Sequence, residues 1–213
     1  MAHPRYKLAD GTVVPSVTTV LGRFKDAGGL IHWAWEQGRD GKDYRESRDS
    51  AATAGTCAHA MVEAHIKGLE FDPKPYDADT LEKARRAFGA FLEWANASHL
   101  TPVKSETSLI SEKYRFGGTL DTMLIHGKLA IGDWKTSGGV YSDMLAQVAA
   151  YGVLWEENFP EQPIEGGYHI LRFDKTYGDF NHHWYPELND GWEYFRLMLE
   201  AYPIDKRLKK RAA

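Results

Sequence analysis

The chain has 213 residues and a mass of 24.1 kDa, and 43% of its residues are hydrophobic, which is enough to bury a core. A formal net charge of −4 argues against a protein that coats nucleic acid, because such proteins are usually basic; any DNA contact should therefore be local. The single cysteine, Cys57, excludes an intramolecular disulfide and a four-cysteine iron–sulfur or zinc site. No signal peptide or membrane-spanning apolar run is visible, which predicts a cytoplasmic protein without a membrane partner.

The N-terminal part of the chain predicts helices. Ser16, which follows Pro15, can cap a short helix. The next segment carries Trp33 and Trp35, and its Leu30, Trp33 and Ala34 fit one helical face. Aromatic residues at such a spacing usually lie in a core, and stacking on nucleic-acid bases is the alternative.

A long helix is predicted over residues 47–67, and it places His59 and Glu63 on one face. A histidine among small apolar residues is more often a packed core residue than a ligand. His65 is interpreted as a surface residue. A second amphipathic helix over 81–95 exposes three cations, which are either solvated or a patch for the DNA backbone: Lys83, Arg85 and Arg86.

The central part of the chain predicts strands. Residues 103–111 read as a strand carrying Glu106, and two apolar segments then form a hairpin around a turn at 126–128. Asp133 and Lys135 continue the alternate positions of the second hairpin strand, so they share a face. Asp121, at the end of a glycine-rich approach on the first strand, can point into the same cleft.

Asp121, Asp133 and Lys135 are costly as mere structure, because charges leave water unfavourably and two nearby carboxylates repel. A divalent cation removes both costs, since Mg²⁺ is typically held by one or two carboxylates with phosphate and water. This grouping predicts phosphodiester hydrolysis, with Lys135 acting on the attacking water. The competing interpretation of Asp133 and Lys135 is a surface ion pair, worth about 0–1 kcal/mol.

The C-terminal part predicts a helix over 141–158 that carries Gln147 and Tyr151 on one face. Two antiparallel strands, 165–173 and 179–185, follow it. In them Arg172 could meet a phosphate or form a rim ion pair, and the adjacent His182 and His183 would face opposite ways. A closing helix over 189–201 precedes a basic tail, 206–211, that either attracts DNA or frays.

Three motifs together carry a resemblance: Gly-Thr-Leu-Asp121, Asp133-Trp-Lys135-Thr and Gln147-xxx-Tyr151. They resemble the PD-(D/E)XK nuclease superfamily and, within it, the RecB-like exonuclease branch of the phage type, without an iron–sulfur cluster. The resemblance implies an α/β fold with a restriction-endonuclease-like core, a small mixed central sheet flanked by helices and an N-terminal helical wall. It implies one nuclease domain over 1–213: about 1–100 mainly helical, about 101–186 the catalytic core, and about 187–213 a helix with a basic tail.

The resemblance also assigns roles to residues. It implies that Mg²⁺ or Mn²⁺ is bound by Asp121 and Asp133 with the backbone carbonyl of Trp134. The similar Gly-Thr-x-x-His pattern of the branch makes His59 a metal ligand and Glu63 a weaker one. Glu106 is an orienting residue, a ligand or an edge-strand charge without function. The catalytic set implied is the following: Asp121, Asp133, Lys135, Gln147 and Tyr151.

The function implied is a metal-dependent deoxyribonuclease, an exonuclease in DNA recombination, repair or phage DNA processing. Its partners would be single-stranded DNA or duplex ends and a helicase or single-strand annealing protein, in the cytoplasm of a bacterium or phage-infected cell. Two alternatives stay open. One is a structure-specific endonuclease, and the other is a non-catalytic DNA-binding or partner-docking module of the same fold.

Overall fold

A computed structural model describes residues 5–25, 28–174 and 180–212. Its elements follow in chain order: β1 (Tyr6–Lys7), β2 (Val13–Val14), α1 (Val17–Phe24), α2 (Gly28–Arg39), α3 (Tyr44–Lys67), α4 (Ala78–Ala97), β3 (Thr101–Ser111), β4 (Phe116–Ile125), β5 (Lys128–Thr136), α5 (Ser142–Asn158), β6 (Gly167–Phe173), β7 (Phe180–Tyr185) and α6 (Asn189–Ala212). None of the described helices has the length and apolar character needed to cross a membrane.

The main sheet has five strands in the order β3-β4-β5-β6-β7. All neighbours are antiparallel except β5 and β6, which are parallel and joined through α5. A parallel pair needs such a crossover, because a tight turn can join only antiparallel strands. The predicted α/β fold, a small mixed sheet flanked by helices, is confirmed.

The predicted hairpin of β4 and β5 is confirmed, and its turn sets the register. His126 and Gly127 have φ values of 50° and 77°, the left-handed pair that a tight two-residue hairpin turn requires. The strands pair from the turn as far as Asp121 opposite Gly132. Beyond that point the two strands no longer pair with each other, and each keeps only its outer neighbour, β3 for β4 and β6 for β5. They therefore diverge and open a fork.

Two apolar layers hold the helices on the sheet. On one face, α5 buries Leu154 and Trp155 against the strands, and α1 and α6 complete this core. On the other face, α3 and α4 bury Cys57 and Phe91 beside Phe173 of β6. Each large side chain that is fully buried contributes about 1.5–3 kcal/mol, so both faces anchor their helices firmly.

Two helix boundaries differ from the predictions. Helix α3 begins at Tyr44 because Asp43 caps it, accepting a hydrogen bond from the backbone N–H of Arg45. Helix α6, predicted to end at residue 201, continues to Ala212. Its last residues are mainly Lys and Arg, which favour helix, and an ion pair between Arg23 and Asp205 ties this part to α1. The expectation that the basic tail frays is therefore wrong.

The expectation that the aromatic residues of α2 lie in the core is wrong for Trp35, whereas Trp33 is half-buried. Trp35 is 58% exposed, and the guanidinium of Arg39 lies 5.1 Å from the centre of its ring. His32 meets the same ring edge-on at 5.8 Å. The amphipathic pattern was correct for a helix, but α2 packs mainly on α3 and leaves Ile31 and Trp35 exposed to solvent.

The adjacent histidines of β7 point in opposite directions, as expected. Nε2 of His182 lies 2.7 Å from Nδ1 of His169 on β6, and the two rings stack. Burial, and after it the neighbouring His169 and His183, lower the pKa of His182 to about 4. The pair is therefore neutral at pH 7.

We expect the free energy of unfolding to fall as the pH drops from about 6.5 to about 4, because unfolded His182 binds a proton there and folded His182 does not. The ring is partly exposed, so solvent limits the effect to about 1 kcal/mol. Urea unfolding at several pH values should show a shallower pH dependence for His182→Asn. The exposed His65, replaced by Asn, is the control. Equal pH dependence in His182→Asn and wild type would contradict this account.

Candidate active site

The candidate site lies in the fork between β4 and β5. Asp121 is the residue of β4 farthest from the turn that still pairs with β5. Asp133 and Lys135 lie on β5 just beyond the point where the two strands diverge. Helix α3 brings His59 to this point, and α5 brings Gln147. The site is thus built from both strands of the hairpin and from a helix on each face of the sheet.

A chain of polar contacts runs through the site from Asp133 to α5. The ammonium of Lys135 lies 2.5 Å from Oδ2 of Asp133 and donates a hydrogen bond of 2.9 Å to Oε1 of Gln147. Nε2 of Gln147 in turn donates to the hydroxyl of Tyr151 at 2.8 Å. The side chains of Asp133 and Lys135 are only 15% and 20% exposed. The ammonium is therefore held in place from two sides.

A glycine of β4 lets α5 approach closely enough for these contacts. A Cβ atom on Gly118 would lie 2.8 Å from Cδ1 of Leu154 and 2.9 Å from Cε1 of Tyr151, closer than side chains tolerate. Burial and the charge of Asp133 raise the pKa of Tyr151, so its hydroxyl stays protonated. The close packing of α5 on β4 therefore requires a glycine at this position of the Gly-Thr-Leu-Asp motif.

Asp121 is oriented by a bulge in β3. Its Oδ1 accepts a hydrogen bond of 2.7 Å from the backbone N–H of Glu106. The pairing of β3 with β4 shifts register between Lys104 and Thr107, and Glu106 has a φ of 49°. Such a conformation costs about 1–2 kcal/mol for a residue with a Cβ. The bulge aims a backbone donor at the carboxylate, where a regular strand would not.

The carboxylates of Glu63 and Glu106 face a lysine that the motif reading did not single out. Lys67 forms an ion pair with Glu63 and lies 3.0 Å from Oε2 of Glu106. The spacing of Glu63 and Lys67, four residues on a helix, was the available sequence signal. Both glutamates are exposed, so they would have to turn from Lys67 to serve as ligands. Their assignment stays a prediction.

His59 reaches the site because α3 packs closely on β5, where Gly55 touches Thr136. Its Nε2 is buried and has no hydrogen-bonding partner in the part of the chain that the structure describes. Burial lowers the pKa of His59, and the charges of Asp133 and Asp121 and a hydrogen bond with the Trp134 backbone oppose this shift. A neutral imidazole with a free ring nitrogen is the form that binds metals.

Burial disfavours the charged form of the Asp133 carboxylate. Burial raises its pKa and nearby Asp121 adds to the shift, while Lys135 and His59 offset part of it. Despite the ion pair, no aligned hydrogen bond reaches its buried Oδ2 from residues within the described ranges. A carboxylate in this state gains from a second cation beside it.

The side chains of the site are suitable ligands for a divalent cation, although they do not form a complete coordination sphere. Among the described residues, no three His, Cys, Asp or Glu side chains are already arranged to hold a metal. Nε2 of His59, which has no hydrogen-bonding partner among the described residues, and Oδ2 of Asp133, which only the Lys135 ammonium approaches there, are nevertheless ligand types that Mg²⁺ or Mn²⁺ accepts. In this arrangement the ammonium of Lys135 offsets the negative charge of Asp133.

Apart from Glu63 and Glu106, the predicted site residues thus fall into three groups. Direct contacts join Asp133, Lys135, Gln147 and Tyr151. His59 and Asp121 lie within electrostatic reach of Asp133. The ring of Trp134 turns away, packing edge-on against Phe91 at 5.3 Å, and its backbone lies on the side of His59.

Three of the cations considered for DNA contact have protein partners. Arg172 donates to the carbonyl of Ser137 at 2.7 Å and lies 3.3 Å from Asp174, which matches the rim ion pair. On α4, Lys83 and Arg86 pair with acids one turn earlier in the same helix. These contacts favour the solvated face over a preformed patch for the DNA backbone.

Comparisons with known proteins concern the fold and the family of the chain. Among solved structures, a protein from Eubacterium rectale that is provisionally assigned as an exonuclease superposes with a TM-score of 0.51 and 14% identity, covering 75% of this chain and 69% of its own. At that identity the likeness concerns the fold alone. A second structure, SSO0001, has a TM-score of 0.36 and 14% identity over 72% of this chain and 74% of its own, too low to support an argument.

No curated protein matches the chain significantly. A sequence model of the PD-(D/E)XK nuclease superfamily, in contrast, matches residues 4–206, nearly the whole chain. That stretch includes the fork and every residue of the candidate site. The chain therefore belongs to the PD-(D/E)XK nuclease superfamily.

Proposed function

We propose that this chain is a divalent-metal-dependent deoxyribonuclease of the RecB-like exonuclease branch. The observation that carries the proposal is the continuous chain of contacts from Asp133 through Lys135 and Gln147 to Tyr151, in a fork that also holds Asp121 and His59. Membership of a nuclease superfamily supports the reaction class. The three sequence motifs support the branch.

The metal would be held by oxygen and nitrogen donors of the fork. Asp121 and Asp133 are the main ligands in this proposal, with His59 and the carbonyl of Trp134 beside them. Glu63 and Glu106 could join by leaving Lys67, either directly or through water. When bound, Mg²⁺ or Mn²⁺ would supply Lewis-acid polarisation of the scissile phosphate and a lower pKa for the attacking water. An imidazole ligand favours Mn²⁺ somewhat, without excluding Mg²⁺.

Lys135 is the residue that handles the nucleophile. Its ammonium has three donors, of which one is used by Gln147 and one faces Asp133. The third can hold the attacking water or offset the charge that develops on the phosphate. Because Lys135 and Asp133 are largely buried, these interactions act in a medium where they are stronger than in water.

Tyr151 acts in this proposal as a positioning residue, by holding the amide of Gln147. We expect Tyr151→Phe to lower kcat about tenfold with little change in KM, because one neutral hydrogen bond of about 1 kcal/mol is lost. Steady-state kinetics on DNA measure both constants. Tyr168→Phe is the matched control, since Tyr168 packs on Gly152 of the same helix away from the fork. An unchanged kcat in Tyr151→Phe would remove Tyr151 from the machinery.

The exonuclease assignment predicts a requirement for a free DNA end. End-labelled linear single-stranded DNA and covalently closed circular DNA of the same sequence should be incubated with Mg²⁺, Mn²⁺ or EDTA. We expect the linear DNA to be shortened with either metal, the circle to stay intact, and EDTA to stop the reaction. Cleavage of the circle would favour the structure-specific endonuclease, and binding without cleavage would favour the non-catalytic module.

Exposed Trp35 suggests where single-stranded DNA would lie. An exposed indole with a guanidinium over its ring, as in Trp35 and Arg39, offers both the aromatic surface and the cation that stack on bases. We expect Trp35→Ala, in a Lys135→Ala background, to weaken binding of a fluorescent single strand about tenfold, because base stacking contributes about 1–3 kcal/mol. Ile31→Ala, equally exposed on α2, is the control. Equal dissociation constants for the two variants in anisotropy titrations would exclude Trp35 as a contact for single-stranded DNA.

The proposed branch also sets the context. It favours a single nuclease domain across the chain, working in the cytoplasm in DNA recombination, repair or phage DNA processing. A helicase that delivers single strands, or an annealing protein that receives them, would be the fitting partner. With a single cysteine, Cys57, the given sequence fits the members of that branch that carry no four-cysteine iron–sulfur cluster.

A further inference from the structure

Helix α6 has a second apolar face that the rest of the fold leaves uncovered. Its inner face buries Phe195 and Met198 in the core. On its outer side, residues spaced alternately by three and four form what we call the α6 stripe: Tyr194, Leu197, Ala201, Ile204 and Leu208. The four large ones are 44%, 51%, 49% and 58% exposed, in that order.

The spacing of the stripe is that of a helix seam. Apolar residues that alternate at three and four positions recur every 3.5 residues on average, which is the pattern two helices use when they pack along each other. Pro203 lies outside this spacing and does not interrupt the stripe. Because contiguous exposed apolar surface is rare on soluble proteins unless something binds it, the stripe marks an interaction surface.

The charge along α6 indicates what the partner is. Acidic residues predominate in its first part, as Asp190, Glu193 and Glu200, beside a single basic residue, Arg196. A run of basic residues occupies its end: Lys206, Arg207, Lys209, Lys210 and Arg211. A parallel copy of α6 would place like charges together, whereas an antiparallel copy places the acidic part of each helix against the basic part of the other.

We propose that the α6 stripe pairs antiparallel with the same stripe of a second copy of this chain. Leu197 and Leu208 are symmetric about the point between residues 202 and 203, and so are Ala201 and Ile204. A two-fold axis at that point brings Leu197 against Leu208 of the second copy and Ala201 against Ile204 of the second copy. Such an interface is closed, since every contact occurs twice and the same surface of each copy is used.

The same axis pairs opposite charges on the flank of the stripe. Glu200 and Arg207 each directly precede a stripe residue, so they lie on one flank, nearly symmetric about the axis. Glu200 therefore faces Arg207 of the second copy, and the reverse. Glu200 now accepts a hydrogen bond from Arg196 one turn earlier, an exposed pair that contributes little and can be shared or exchanged.

Sedimentation velocity of the full chain tests this association. We expect a mass near twice 24.1 kDa at high concentration, shifting to one copy on dilution from about 100 µM. Ile204→Glu should weaken the dimer at least about tenfold, because a charge would be buried in the seam. Leu69→Glu, at an apolar residue that is 64% exposed but away from α6, is the control. A wild-type chain that stays monomeric throughout would overturn the proposal.

Charge reversal tests the orientation with variants that keep the surface polar. Glu200→Arg and Arg207→Glu should each weaken the dimer about tenfold, since the repulsion occurs twice. The double variant should restore wild-type association, because each copy then offers the swapped pair. Circular dichroism should be unchanged in all three. A dimer that ignores both single variants, or one that the double variant fails to restore, would overturn the antiparallel arrangement.

Discussion

Replacing Lys135 by alanine should lower kcat for DNA cleavage at least about a thousandfold while leaving DNA binding nearly unchanged. The ammonium lies between Asp133 and Gln147 and is largely buried, so no other side chain can take its place. Its removal also leaves the charge of Asp133 without its ion-pair partner. Single-turnover cleavage and anisotropy binding, measured on the same DNA with Mg²⁺ or Mn²⁺, separate the two effects.

Lys128→Ala is the matched control for this result. Lys128 begins the same strand as Lys135 but is exposed at the hairpin turn, seven residues and about 23 Å away along the strand. We expect it to cleave DNA like the wild type. Cleavage retained in Lys135→Ala, or in Asp133→Asn, would refute the assignment of the fork as the active site.

Replacing Gly55 by alanine should destabilise the protein and impair the site together. A Cβ atom there would lie 2.6 Å from Oγ1 and 2.7 Å from Cβ of Thr136, and closer still to Cγ2. Either α3 or the end of β5 must move, which costs about 1–3 kcal/mol as overpacking does elsewhere. The same shift carries His59, one turn further along α3, from the fork. We therefore expect kcat to fall more than about tenfold.

Gly89→Ala on α4 is the control for this prediction, because a Cβ atom there meets nothing within 4 Å. It should raise the free energy of unfolding by about 0.5–1 kcal/mol and leave cleavage unchanged, since alanine favours helix over glycine. Urea unfolding and cleavage rates measure both. Thr136→Gly combined with Gly55→Ala should recover activity; a Gly55→Ala variant as stable and active as wild type would contradict the close packing of α3.

The parts of the fold that were predictable from sequence depend on local periodicity. The alternation along β5 predicted that Asp133 and Lys135 share a face, and both converge on the fork. Helical spacing placed Gln147 and Tyr151 one above the other, and they are hydrogen-bonded. The turn at 126–128 predicted the hairpin that sets the position of Asp121. In each case the relevant contact lies within one element or between strands joined by a short turn.

What could not be predicted depends on contacts between distant segments. The bulge that turns the N–H of Glu106 to Asp121 arises from the register of β3 on β4, which no pattern in β3 encodes. Lys67 forms ion pairs with Glu63 of its own helix and with Glu106 of β3. Glu106 is 39 residues away in the sequence, so the second contact has no local signal. Trp35 shows the same limit, because an amphipathic pattern predicts a helix without telling whether a neighbour will cover it.

The end of α6 shows how a local rule can be applied too narrowly. A run of basic residues at a terminus was expected either to attract DNA or to fray, yet Lys and Arg are good helix formers. The apolar residues between them, Ile204 and Leu208, continue the helical spacing and are the signal that the helix goes on. Asp205, paired with Arg23, supplies the tertiary contact that holds this part of the helix.

The central claim is that the carboxylates of the fork bind a divalent cation for DNA hydrolysis. Isothermal titration of Mn²⁺ into the wild-type chain and into an Asp121→Asn, Asp133→Asn double variant tests it most directly, with no dependence on DNA. We predict saturable heat for the wild type and its loss in the double variant, with both proteins equally folded. Equal heat in the two proteins, or none in the wild type, would contradict the account.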